Sequence, residues 1–379
     1  MTVYFDNAAT TRVCEAATET MVRVLREQYG NPSSTHAFGR EAAKLLEKAR
    51  ENVAKAAGAK PEEIFFTSGG TEADNWAILG GARQMQHRGK HVISFAAEHD
   101  AVLRPLEELR TLGCDVTLLK PDAAGRISLS ELEAALREDT VLVSVMMVNN
   151  ETGAVNPIPE IARLLKEKHA QALLHTDAVQ GFCKIPFSAD TLGVDLMTLS
   201  SHKIHGPKGC GALFVKSGTK LKPFLLGGGQ EKGYRSGTEA MPAIVGFGEA
   251  ARIGGENVRE TEKKLRKLRT FTAEKVRERI PAVLFIGEGD APHILSLSLP
   301  GYRSEVLLNF LDAKGICVSK SSACKRGGRS RVLEAMNLPS DVIDGAIRVS
   351  FSDENTEEEA LYFADALCEA AASLRTARR

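Results

Sequence analysis

The chain carries a lysine placed where covalent chemistry is feasible. Leu196-Met-Thr-Leu leads into Ser200-Ser201-His202-Lys203, and Ile-His-Gly-Pro-Lys-Gly-Cys-Gly211 follows. An apolar run closed by a glycine-rich turn reads as a buried strand that delivers its last polar residues into a cleft. Lysines are ordinarily solvated. One held against desolvating walls loses part of its proton affinity and becomes an amine nucleophile, the requirement for a Schiff base. Asp177 follows a second apolar run, in His175-Thr-Asp177-Ala-Val-Gln180-Gly, and an ionised carboxylate there needs a cation or hydrogen-bond donors. Arg348 interrupts a third, Ala346-Ile-Arg348-Val-Ser-Phe351, and an internal salt bridge would satisfy its charge. Cys324 sits in Ser-Ala-Cys324-Lys325-Arg326-Gly-Gly-Arg329-Ser-Arg331, where neighbouring cations favour the thiolate.

The elements that must position these groups alternate between strand and helix. Strands are expected at Ile64–Ser68, His91–Phe95, Val116–Lys120, Val141–Val148, Ala172–His175 and Leu196–Leu199. Helices are expected at Glu15–Gln28, Ala37–Ala57, Leu129–Arg137 and Ile158–Lys168, and Gly69-Gly70-Thr71-Glu72 and Glu98-His99-Asp100 each open another. The strands read as continuous apolar runs, which predicts burial on both faces and a largely parallel sheet. Polar residues cluster at strand ends, where an open α/β sheet places its ligand: His99, Asn149-Asn150-Glu151 and Asp177. A strand, a glycine turn and a helix opened by Thr71 make a sensible phosphate cradle. A charged helix is expected at Val258–Arg279, and beyond it a mixed region has strands at Ile294–Leu299, Ile316–Ser319 and Ala346–Phe351. The expected division is a large domain over 14–257 and a smaller α+β domain built from 1–13 and 258–379.

The 379 residues are enough for two or three domains. Lys+Arg and Asp+Glu both count 49, so net charge gives no reason to expect nucleic acid or an anionic membrane as partner. The N-terminus lacks a signal-peptide pattern and no apolar run approaches a spanning helix, so a cytoplasmic protein is expected. Seven cysteines without a Cys-x-x-Cys pair argue against a disulfide framework and a zinc site, and no metal is expected.

Ser200-Xaa-His-Lys-Xaa-Xaa-Gly-Pro-Lys-Gly resembles the cofactor-lysine motif of the NifS/IscS-type cysteine desulfurases, pyridoxal-phosphate enzymes of the class V aminotransferase superfamily. Asp6-Asn-Ala-Ala-Thr-Thr11, Gly30-Asn31-Pro-Ser-Ser, Thr67-Ser-Gly-Gly-Thr71-Glu72, Arg235-Ser-Gly-Thr238 and the Ser-Ala-Cys324 stem match the same family in the same order. The resemblance implies a fold-type I pyridoxal-phosphate enzyme with a seven-stranded type of sheet, which turns L-cysteine into L-alanine and passes its sulfur to Cys324 as a persulfide. It implies that Lys203 carries pyridoxal 5'-phosphate and acts as the base at Cα, and that His99 stacks on the ring and serves proton transfer. Asp177 would keep the ring nitrogen protonated, making the ring an electron sink. Asn150 would lie beside ring and substrate, with Gln180 on the phenolic oxygen and Gly70, Thr71, Ser200 and His202 on the phosphate. Arg348 would clamp the substrate carboxylate, a role suited to its planar fork, with Asn31 near the substrate. Thr238 would reach the partner subunit's cofactor in a homodimer, and a protein sulfur acceptor is implied, for iron–sulfur cluster assembly or thiolation of tRNA or cofactors.

The segment after Cys324 departs from the commoner family pattern, being shorter and more basic, which suits an acidic or anionic acceptor that comes to the pocket. Two other readings stay open: a selenocysteine lyase or cysteine sulfinate desulfinase of the same superfamily, and a non-catalytic scaffold or regulator that keeps the fold.

Overall fold

The structure is a computed structural model and describes residues 2–168, 170–320 and 328–374. Short β1 (Val3–Tyr4) opens the chain and belongs to the smaller of its two layers. The main sheet is built from β2 (Ile64–Thr67), β3 (His91–Phe95), β4 (Asp115–Leu119), β5 (Thr140–Ser144), β6 (Leu173–Asp177), β7 (Leu196–Ser200) and β8 (Gly211–Val215). Its order is β2-β8-β7-β6-β5-β3-β4, with β8 antiparallel to both neighbours and every other pair parallel. Five of these strands are buried at every residue, the reason their sequences run apolar without alternation. The α/β class and the mostly parallel seven-stranded sheet hold as expected.

Strand β8 is absent from the expected strands. It begins directly after Lys208-Gly-Cys, so its apolar run merges with the tail of the lysine motif. The expected strand Val141–Val148 ends at Ser144, and Val145 to Asn149 continue as buried non-strand chain that passes the site.

The second layer contains β9 (Leu284–Ile286), β10 (Ile294–Ser298), β11 (Ile316–Cys317), β12 (Ser319–Lys320) and β13 (Ala346–Ser350). Four of them form the antiparallel order β12-β13-β10-β9, while β11 pairs with β1 in parallel. Phe5 packs edge-on against Phe351 and Phe363, with ring centres 5.2 and 6.0 Å away, so the N-terminal strand is built into this layer's core.

One helix, Met241–Arg279, joins the layers. It starts 17 residues before the expected Val258, because Gly246, Gly248, Gly254 and Gly255 hide its first turns from a propensity reading. Those glycines allow close packing. A Cβ on Gly248 would lie 2.6 Å from Ala49 Cα, and one on Gly255 2.8 Å from Ala56 Cβ, both on helix Ala37–Ala57. The long helix gives Phe247 and Ala250 to the main core and Leu265, Leu268 and Val276 to the second. Among the described residues no helix is long and apolar enough to cross a membrane, and no side-chain group could hold a metal ion.

Candidate active site

The C-terminal ends of the parallel strands converge on one cavity of about 310 Å³. Asp177 is the last residue of β6 and Ser200 the last of β7. Gly70 and Thr71 open the helix after β2, and His99 caps the helix after β3. Ten residues singled out from the sequence line the cavity together: Gly70, Thr71, His99, Asn150, Asp177, Gln180, Ser200, His202, Lys203 and Arg348. Local chemistry aims each one. Lys203 lies on a single 3-10 turn after β7, and its Nζ donates to the carbonyls of Ala8 and Ala9, both at 2.6 Å. His99 Nδ1 accepts from Ala101 N at 3.1 Å, and an accepting Nδ1 puts the ring proton on Nε2. Gln180 Nε2 donates to Ala8 O at 2.9 Å.

Arg348 projects from β13 of the second layer and is almost wholly buried. Its Nη2 donates to Asp6 Oδ1 at 2.9 Å and its Nη1 to Asn150 O at 2.8 Å, while buried Nε makes no hydrogen bond among the described residues. The internal salt bridge that the strand pattern asks for is therefore present, with the guanidinium also forming part of the cavity wall. The site straddles both layers.

The electrostatics at the cavity floor are unusual. Asp177 is buried, accepts a hydrogen bond from Val179 N at 2.9 Å, and burial raises its proton affinity. His99 and Lys203 pull that affinity back down. Asp74 and Glu98 lie behind it, their carboxyls pushed well up by burial and then by Asp177. His175 is buried and held neutral, its imidazole pushed down to about 3 by desolvation. Burial, then Lys203 and Lys208, brings His202 down to about 4, so it too is neutral near pH 7. A floor of several buried carboxyls at low dielectric calls for one cation at Asp177.

The polar end of the cavity is a cradle. Gly69, at the cap position of the helix after β2, has no side chain to satisfy the first N–H groups. Ser200 Oγ is buried there without a hydrogen bond among the described residues. A Cβ on Gly70 would meet Val179 Cγ2 at 3.0 Å, so a larger residue would require Val179 to give way. An adjoining open cavity of about 470 Å³ shares Gly70, Thr71, Ser200 and His202 and adds Lys208.

The Aminotransferase class-V family model matches residues 3–363. The chain belongs to the class V aminotransferases. It is 42% identical to the cysteine desulfurase IscS of Dictyoglomus turgidum over 99% of this chain and 95% of the relative. It is 44% identical to the putative cysteine desulfurase IscS 1 of Bacillus subtilis over 94% of this chain and 95% of that one. A solved NifS-like protein superposes with a TM-score of 0.93 at 41% identity, covering 99% of this chain and all of the other.

As a class V aminotransferase the chain is a pyridoxal-phosphate-dependent enzyme, and the cavity fits that cofactor on three observations. The buried Asp177 carboxyl suits a protonated ring nitrogen, Ser200 Oγ, without a hydrogen bond among the described residues, and the uncapped helix start suit a phosphate, and an amine from Lys203 borders both. The reading as a scaffold without chemistry is set aside by these findings.

Two expected residues are described and do not line the cavity, and a third is not described. Asn31 and Thr238 are exposed outside its lining, and Cys324, with Lys325 and Arg326, lies outside the described residues. Arg329, counted among the loop's basic residues, is bidentate to Asp344 at 2.8 Å for both bonds, so its charge is answered within the chain. Sequence reading also missed Asp74, which lines the cavity. Its signal was an aspartate set in the apolar face of Ala73, Trp76, Ala77 and Ile78.

Proposed function

We propose that the chain is a cysteine desulfurase: it takes sulfur from L-cysteine, releases L-alanine and hands the sulfur through Cys324 to an acceptor. The observation that carries this reading is the meeting of Lys203, Asp177 and Arg348 in one cavity of a chain about 40% identical to cysteine desulfurases over nearly its whole length. When bound, pyridoxal phosphate supplies a carbonyl for the substrate amine and an acceptor for the Cα electron pair. The chain's residues do the rest. Gly70, Thr71, Ser200 and His202 hold the phosphate, with neutral His202 acting as a hydrogen-bonding group rather than a charge. Asp177 keeps a proton on the ring nitrogen, and Gln180 orients the phenolic oxygen. Arg348, already fixed by Asp6 and Asn150 O, turns its remaining donors to the substrate carboxylate. Lys203 holds the cofactor and then takes the Cα proton, and His99 offers a second site for proton transfer through Nε2. The Cys324 thiolate attacks the substrate sulfur. An S–S bond forms, the Cβ–S bond breaks, and the electron pair left on Cβ takes a proton to give alanine.

A homodimer is part of the proposal. Thr238 is exposed and away from its own cavity, while the adjoining cavity beside Gly70 and Thr71 stands open to receive a partner's residue. Leu226 is 85% exposed near Thr238 in sequence, and Tyr29 is 72% exposed, values that suit a covered surface. Exposed Asn31, close to Tyr29 in the chain, approaches substrate in the same assembly. A cytoplasmic location and a protein acceptor complete the reading.

The test is alanine formation from L-cysteine with and without a dithiol, run beside Cys324→Ala and Lys203→Ala. Dithiol-stimulated alanine that Cys324→Ala all but abolishes supports the proposal. Wild-type alanine output from Cys324→Ala would assign a lyase that needs no cysteine nucleophile. Preference for cysteine sulfinate or selenocysteine would move the substrate within the superfamily. Borohydride should fix cofactor to the wild type and not to Lys203→Ala.

A further inference from the structure

A second cavity, of about 170 Å³, lies behind the lysine-bearing turn, between the long helix and the turn that follows β13. Its interior is polar in an ordered way. Lys184 lines it at 5% exposure, and its ammonium makes no hydrogen bond among the described residues. Burial lowers its proton affinity and the charge of Asp353 draws it back up, so an acceptor placed in the cavity would favour the charged form. His205 Nδ1 meets the Arg12 carbonyl at 3.0 Å. A carbonyl only accepts, so Nδ1 carries the proton and Nε2 is left with a lone pair. That Nε2 is buried and makes no hydrogen bond among the described residues, standing 3.7 Å from Asp353 Oδ1. Asp353, with its side chain 46% exposed, and exposed Glu354 stand on the outer side of the cavity. The lining therefore brings together one cation, a lone pair and two carboxylates nearer solvent, with apolar Ile204 and Ala250 in the wall.

We propose that this cavity binds a small zwitterionic α-amino acid, its carboxylate on the Lys184 ammonium and its ammonium toward His205 Nε2, Asp353 and Glu354. A simple anion is disfavoured because the two carboxylates outnumber the one cation. A simple amine would leave Lys184 without an acceptor. The volume equals that of about six water molecules, enough for alanine or cysteine and too small for an aromatic amino acid. The ligand class follows from the charge placement and does not depend on the desulfurase reading, although that reaction would supply such molecules.

The site has a direct route to the catalytic cavity. His205 is two residues from Lys203 and holds a left-handed backbone, φ +64°. Its N–H donates to Thr11 Oγ1 at 2.8 Å, its carbonyl accepts from Cys14 N at 2.9 Å, and Thr11 N in turn donates to His202 O at 2.9 Å. A ligand on His205 therefore contacts the turn that sets the position of the lysine.

The test is equilibrium dialysis of radiolabelled L-alanine against holoenzyme whose cofactor has been fixed by borohydride, so that substrate amine cannot react. The expected result is one bound alanine per chain that survives Arg348→Ala and weakens at least tenfold in Lys184→Met. Methionine keeps the unbranched stem, so the variant should fold with an unchanged or raised Tm. Asp353→Asn, at the more exposed side, should weaken binding several-fold and serves if Lys184→Met is unstable. Acetate and ethylamine should compete poorly, and phenylalanine not at all. Binding lost in Arg348→Ala but intact in Lys184→Met would return the ligand to the catalytic cavity and overturn the proposal. Acetate competing as well as alanine would overturn the zwitterion, and absence of binding would overturn the site.

Discussion

On the proposed reading, Asp177 is a single residue that is poor for stability and necessary for chemistry. Burial disfavours the charge of its carboxylate, although His99 and Lys203 partly restore it. Asp177→Asn removes that burden, so Tm should stay level or rise. The amide cannot hold a proton on the ring nitrogen, and washout of the alanine α-proton in D2O should slow by on the order of a hundredfold or more. Equal washout rates in the two proteins would remove Asp177 from the reaction. Glu151 carries a different conflict. It is half-buried, receives a hydrogen bond from Ser330 Oγ, and faces Arg348, Arg331 and Asp100. Burial outweighs these partners and lifts its carboxyl from 4.5 to about 7. A raised folded value means the contribution to stability is whole below about pH 4.5 and is lost as pH rises through about 7. Glu151→Gln should therefore gain stability over wild type between pH 5 and pH 8, by about 2 kcal/mol. Urea midpoints at the two pH values measure it, and a constant gap would show that Glu151 does not titrate there.

At the scale of elements, much of the architecture was readable because burial writes itself into sequence. The helix Ala37–Ala57 has the expected bounds, and the other expected helices before the C-terminal region end within two residues of theirs. The cavity was legible too, since strand-end polar residues interrupt apolar runs and a buried charge is conspicuous there. What escaped depended on partners distant in the chain. Strand β8 pairs backwards between β2 and β7, which no local pattern reports. The pairing of Arg348 with Asp6 spans 342 residues. The early turns of the long helix were hidden by glycines whose reason is a neighbouring helix. This last point can be tested. Gly248→Ala should gain up to about 1 kcal/mol of helix propensity, yet its methyl would meet the Ala49 backbone, and overpacking costs about 1–3 kcal/mol. A net loss is expected. Gly246→Ala meets chiefly the flexible Met21 side chain, at 2.7 Å, so it should be the better tolerated of the two. The reverse order of urea midpoints would mean that the helices do not approach as closely as described.

The whole molecule raises the question of whether one chain holds a complete site. The proposed phosphate cradle of Gly70, Thr71, Ser200 and His202 borders a further open cavity, which no described residue fills. Thr238 cannot fill it from the same chain, since it is exposed and absent from both linings. Its segment is nevertheless held firmly. Glu231 accepts two hydrogen bonds from buried Arg50, both at 2.8 Å, and Arg235 pairs with Glu72 at 2.7 Å. A segment anchored at both points and exposed at its tip suits delivery of Thr238 to a second copy. Thr238→Val should then leave a dimer by analytical ultracentrifugation while cofactor affinity falls about tenfold, the effect of losing a hydrogen bond to a charged group. Lys203→Ala should also dimerise and be inactive. When the two variants are unfolded, mixed and refolded with limiting cofactor, each mixed dimer has one site with both Lys203 and a partner's Thr238 intact. Activity should rise toward about a quarter of wild type, because half the dimers are mixed and each has one whole site. No recovery over the sum of the separate variants, with mixed dimers demonstrably formed, would show that every site is completed by its own chain.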